Sequence, residues 1–210
     1  MASAWAKLNP RLCNACEEFA REHQGGAEIE LSVLFADIRG STTIAEQMSN
    51  AEFSRLIDRF YQAATDVMIR SDALVDKLIG DEVTGLYIPG YAGAEHARRA
   101  IEAAQDILKA TGHGSPEGPW IPVGAGVHTG VAYVGAVGSR NGIVDITALG
   151  DAPNVGARLA SQARAGEVLL SDATAAAAGL DRENIEERQL QLKGRGEPVT
   201  VCVLNVSGEN

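Results

Sequence analysis

Residues 73–88 read ALVDKLIGDEVTGLYI, and this stretch decides the fold. Two apolar runs, Ala73–Ile79 and Val83–Ile88, flank a Gly80-Asp81 pair. Turn-forming residues between two strand-forming runs predict a tight antiparallel hairpin. A doubly wound parallel sheet alternates strand and helix without such hairpins, so the reading here is α+β.

Working outward, Ile29–Ala36 (IELSVLFA) is apolar and bounded by turn chemistry, which predicts a buried strand. Residues 43–70 carry Phe53, Leu56, Ile57, Phe60, Ala64 and Val67 on one helical stripe. An Ala-rich helix is expected over 93–111, followed by a loop at 112–119 (GHGSPEGP). Ile121–His128, Val131–Val137 and Ile143–Leu149 read as strands, then a helix from about 152 to 163. A strand at Glu167–Ser171, a short helix over 172–180 and strands near 184–192 and 198–206 complete the chain. Residues 1–28 are a polar, helical lead-in ending at Gly25-Gly26, and 29–210 are one compact domain.

The 210 residues suit a single domain, and 45% hydrophobic residues suffice for a packed core. A formal net charge of −10 supplies no basic face for a nucleic-acid backbone, so no nucleic-acid partner is expected. Without a long apolar run or a leader-like h-region, a cytoplasmic protein with no membrane partner is expected. Cys13, Cys16 and Cys202 form no disulfide framework. Cys13 and Cys16 have metal-ligand spacing with His23 nearby, but a structural zinc site takes four ligands, and a reduced helical segment is the plainer reading.

Three segments carry candidate chemistry. In Leu34–Thr42 (LFADIRGST) a buried strand delivers Asp37 to a Gly/Ser/Thr turn. That offers a carboxylate to a hard cation beside backbone N–H groups for phosphate oxygens; the alternative is a capping Asp. In Lys77–Glu82 (KLIGDE) Asp81 sits at the hairpin tip, where it can converge with Asp37 on two cations roughly 4 Å apart, or simply make a good turn. In Ile146–Leu159 (ITALGDAPNVGARL) Pro153 fits a first helical turn, which places Asn154 and Arg158 at i and i+4. An amide and a guanidinium stacked in this way suit a ribose and a phosphate under attack, or else a helix cap and a surface arginine.

Taken together and in this order, the three segments resemble the signature of class III adenylyl and guanylyl cyclases. GVHTGVAYVGAVGSR (126–140) is similar to that family's strand and dimerisation arm, and LKGRGEPVTVCVL (192–204) to its closing hairpin. The resemblance covers roughly 29–206. It implies the class III cyclase fold, a ferredoxin-like βαββαβ core with extra C-terminal strands and an arm. It also implies cyclisation of ATP, two divalent cations (Mg2+ or Mn2+) per site, and a homodimer whose metal carboxylates and remaining site residues come from different subunits. Carried over by position, Asp37 and Asp81 would ligate both metals with the backbone carbonyl of Ile38. Lys77 and Thr147 would read the purine, with Asp145 as the alternative reader. Asn154 would orient the ribose, and Arg158 would stabilise the transition state. Ile38, Arg39, Gly40, Ser41 and Thr42 would cradle the terminal phosphates, with Arg140 and Arg195 as further phosphate contacts. Ile146, Pro153 and Thr84-Gly85 depart from the family's usual residues, and the arm is about two residues longer than in mammalian relatives. A catalytically silent cyclase-fold module and a guanylyl cyclase remain the alternatives. A polymerase-type palm is disfavoured by the Asn154/Arg158 helix and the lack of a basic template groove.

Overall fold

The computed structural model describes residues 18, 22, 25–138, 144–191 and 197–206. β1 (Gly26–Ile38) leads through a short α1 (Ser41–Glu46) to α2 (Asn50–Arg70). Ser49 separates the two helices, because its side chain and that of Glu52 satisfy each other's backbone N–H groups in a capping box. The single helix expected over 43–70 is therefore two. β2 (Leu74–Ile79) and β3 (Glu82–Tyr87) form the expected hairpin, with Gly80 at φ 63 in its turn. A left-handed residue there is cheapest as glycine. α3 (Pro89–Ala92) and α4 (His96–Ala110) then lead to β4 (Val123–Gly138).

β4 corrects the reading of two strands in this region. It pairs antiparallel with β1 without a break, from Gly26 opposite Gly135 to Ile38 opposite Val123, and Thr129 and Gly130 stay within the ladder. The small residues at 129 and 130 resemble a turn in sequence, but a continuous partner strand holds them extended. β5 (Val144–Leu149), α5 (Asp151–Gln162), β6 (Glu167–Ser171), α6 (Asp172–Ala177), β7 (Glu186–Leu190) and β8 (Val199–Asn205) complete the described elements. The eight strands form one sheet in the order β2-β3-β1-β4-β6-β8-β7, with β5 also on β4. The first four strands give the ferredoxin-like order, and β6 joins β4 in parallel.

Side-chain alternation along β1 divides the core between the two faces. Leu34, Ala36 and Ile38 pack with Phe60, Ala64 and Met68 of α2 and with Ala100, Ala104 and Ile107 of α4. Val33 and Phe35 face the other way, towards α5. There helix and sheet meet almost backbone to backbone. A Cβ on Gly126 of β4 would lie 2.3 Å from the Ala160 nitrogen, and one on Gly156 of α5 would lie 2.8 Å from Val33 and 2.9 Å from Phe35. The two glycines set α5 directly on β1 and β4.

Two buried histidines tie the start of α4 and the loop after it to this frame. His113 accepts the Val123 N–H at Nε2 (3.0 Å), and His96 pairs through Nδ1 with Ser32 Oγ (3.0 Å). Burial holds both imidazoles below their usual 6.5. A depressed histidine contributes stability that is present above about 6.5 and lost as pH falls through its folded value. The stability advantage of the wild type over His113→Gln is therefore expected to shrink between about pH 8 and about pH 5 in paired melting curves. An advantage that stayed constant would count against a neutral His113.

Candidate active site

Asp37 lies at the end of β1, two residues after Phe35 and hence on the same sheet face as α5. The β2–β3 turn brings Asp81 beside it, since Asp37 pairs with Glu82 across the ladder and the Ile38 N–H donates to the Asp81 carbonyl at 3.1 Å. Three carboxylates thus crowd one corner. Burial, and then Asp81, raise Asp37 above the ordinary carboxylate range, against the pull of Arg39. Burial raises Glu82 to about 7, with Asp37 and Asp81 adding to the shift and Arg39 opposing it. Glu82 stands within KLIGDE, yet sequence reasoning gave it no role; its position opposite Asp37 is a matter of strand register.

Arg39 answers part of this negative charge. Its guanidinium pairs with the Asp37 carboxylate at 2.5 Å and also donates to the Ser161 and Ala163 carbonyls at 3.2 and 3.3 Å, at the C-terminal end of α5. A cation at a helix C-terminus is favourably placed. The Arg39 side chain is thus engaged within the protein, and its backbone N–H donates to the Pro122 carbonyl at 2.8 Å. Within segment 38–42, Gly40 takes φ 70 at the start of α1, which Ser41 and Thr42 open, and no side chain caps this helix.

Lys77, Thr147 and Asp145 meet as a second group. Lys77 Nζ donates to Asp145 Oδ2 at 2.9 Å and to Thr147 Oγ1 at 3.1 Å. Both candidate base readers are therefore within its reach. Thr147 is buried, whereas the Asp145 side chain is 60% exposed. The carboxylates of Asp145 and Asp76 hold the Lys77 ammonium above its ordinary value, against the opposing effect of burial. Sequence reasoning passed over Asp76, which takes part in this cluster.

The third group rides on α5. Asn154 is exposed, and its amide donates to the Gly150 carbonyl at 2.9 Å. Arg158 is half-buried one turn later, and its guanidinium has no hydrogen-bond or ion-pair partner among the described residues. Arg140 and Arg195, like Cys13, Cys16 and His23, lie outside the described residues. Cys202 is buried on β8 as a free thiol.

The paired acids at a strand end fit hard divalent cations. Two carboxylates of like charge, each crowding the other in partial burial, are the oxygen donors such ions take. Among the described residues no group of three or more His, Cys, Asp or Glu is arranged as a metal cluster. No helix among them is long and apolar enough to cross a membrane.

A ferredoxin-like sheet with an acid pair, a lysine–threonine cluster and an Asn/Arg helix seated on one face defines a nucleotide cyclase domain. The chain belongs to the adenylate and guanylate cyclase catalytic domain family, whose model matches residues 26–205. It is 32% identical over 133 residues to an adenylate cyclase of Anabaena cylindrica, covering 61% of this chain and 26% of that protein. It is 30% identical over 171 residues to an adenylate cyclase of Mycobacterium bovis, covering 80% of this chain and 38% of that one. The chain thus spans about a quarter to two-fifths of the length of these relatives. Among solved structures it is similar to the guanylyl cyclase Cya2, with TM-score 0.75, 25% identity and coverage of 89% of this chain and 95% of that one. The adenylyl cyclase CyaB from P. aeruginosa gives TM-score 0.72 and 25% identity, with 86% and 96% covered.

Proposed function

We propose that the chain is an adenylyl cyclase domain that converts ATP to 3′,5′-cyclic AMP and pyrophosphate at two composite sites of a homodimer. The single observation that carries the base choice is the Lys77–Thr147 pair. Adenine presents an acceptor at N1 and a donor at its 6-amino group. Lys77 can only donate, and the Thr147 oxygen can accept. Guanine reverses both polarities, and a buried mismatched pair discriminates strongly. Relatives named adenylate cyclase agree with this reading. Structural neighbours of both kinds exist, so the base assignment rests on these residues rather than on the fold.

Asp37 and Asp81, with the Ile38 carbonyl, would hold two divalent cations. Cations bound there would lower the pKa of the ribose 3′-hydroxyl and offset the triphosphate charge. Asn154 orients the ribose for in-line attack of O3′ on the α-phosphorus as pyrophosphate leaves, and Arg158 meets the charge that builds on the α-phosphate. The Gly40–Thr42 backbone takes the terminal phosphates. The acid pair of one subunit faces α5 of its twin. Val131, Tyr133 and Leu149 support that pairing: all three are exposed large apolar residues, and Tyr133 lies opposite Leu149 on the β4–β5 ladder.

Purified protein supplied with Mn2+ or Mg2+ and either ATP or GTP tests the reading. Cyclic AMP formation in large excess over cyclic GMP is expected. Comparable turnover of both would refute the base assignment, and the absence of both products would leave a catalytically silent nucleotide-binding module.

A further inference from the structure

β2 carries one residue more than its partner strand. Val75 faces Gly85 and Lys77 faces Thr84, so Asp76 is the extra residue of a β-bulge. A regular strand would send Asp76 and Lys77 to opposite faces. Here both reach Thr147. The Thr147 hydroxyl donates to Asp76 Oδ2 at 3.2 Å, while Lys77 Nζ donates to the same hydroxyl oxygen at 3.1 Å. The Asp76 side chain is only 7% exposed, and its Oδ1 is the one buried side-chain polar atom without a hydrogen-bond partner among the described residues. Lys77 Nζ stands 3.6 Å from that oxygen.

A threonine hydroxyl has one proton and two lone pairs. With the proton committed to Asp76 and one lone pair to Lys77, a single acceptor position is left to the pocket. An uncommitted hydroxyl would rotate and donate instead, and would then suit a keto oxygen as well as an amino group. We propose that Asp76 is a specificity-determining positioning residue: by taking the Thr147 proton it fixes that hydroxyl as an acceptor, and so selects a purine with an amino group at position 6 over one with a keto oxygen. This role rests on the base assignment proposed above and adds the residue that enforces it.

The test is equilibrium binding of 3′-deoxy-ATP and 3′-deoxy-GTP, which lack the attacking hydroxyl, to the full chain with Mn2+. The wild type should prefer the adenine analogue. Asp76→Ala should cut that preference about 10-fold, mostly through weaker adenine binding. Thr147→Val, which removes the hydroxyl and leaves Asp76 in place, should do the same, and adding Asp76→Ala to it should cost no further selectivity. An unchanged ratio in Asp76→Ala, or a further loss in the double variant, overturns the role. So does a wild type without adenine preference. If Asp76→Ala does not fold, as judged by its melting curve, Asp76→Leu, which fills the site without an acceptor for the Thr147 proton, takes its place, and a retained ratio there is equally fatal. Because the analogues cannot cyclise, these ratios stand apart from turnover. A chain that shows them but makes no cyclic AMP from ATP loses the enzyme reading and keeps the Asp76 role.

Discussion

Replacing Asp81 by Asn is expected to lower cyclic AMP formation about 1,000-fold while the melting temperature stays level or rises. The loss follows from removing one of two carboxylates proposed to hold the cations, whose charge stabilisation amounts to several kcal/mol, at about 1.4 kcal/mol per tenfold in rate. The stability side follows from crowding. Asp81 pushes both Asp37 and Glu82 upward, so its charge opposes the folded state at this corner. Asn keeps the turn geometry, because it is as good a turn residue as Asp, and the backbone carbonyl that accepts from Ile38 is untouched. Rate and melting temperature measured on one preparation separate the two effects. A fall in both together would mark Asp81 as a structural residue instead.

The second large effect is expected at Arg158. Arg158→Ala should reduce kcat about 100- to 1,000-fold with little change in KM, because the contact proposed for it is chiefly to charge that appears during the reaction. Lysine should restore only a small part of the rate, since a point charge does not reproduce the planar fork of a guanidinium. The fold should be indifferent, as the Arg158 guanidinium holds no partner among the described residues. A kcat near that of the wild type removes Arg158 from the mechanism.

The candidate residues stand out in the sequence because the proposed chemistry restricts residue type: Asp37, Asp81, Lys77, Thr147, Asn154 and Arg158 are picked by identity and order, and of these the structure brings Lys77 onto Thr147 and Asp81 beside Asp37. The hairpin at Gly80-Asp81 was legible for a local reason, since turn residues announce themselves between apolar runs. What escaped depends on partners distant in sequence. Thr129-Gly130 looks like a break until β1 is laid alongside it. Glu82 gains its environment only from facing Asp37. Asp76 reads in sequence as one residue of a plain strand, and only the ladder against β3 reveals the extra residue that turns it towards Thr147. The grouping of Lys77 with β5 spans some seventy positions of chain and has no local signature.

The bare glycine seat beneath α5 carries a mechanical corollary. With no side chain at 126 or 156 to act as a cushion, the helix rests at its lowest possible height, and no repacking beneath it can lower it further. Arg158 is therefore carried on a base that does not sink, and how far it extends from the sheet is set by its own side chain.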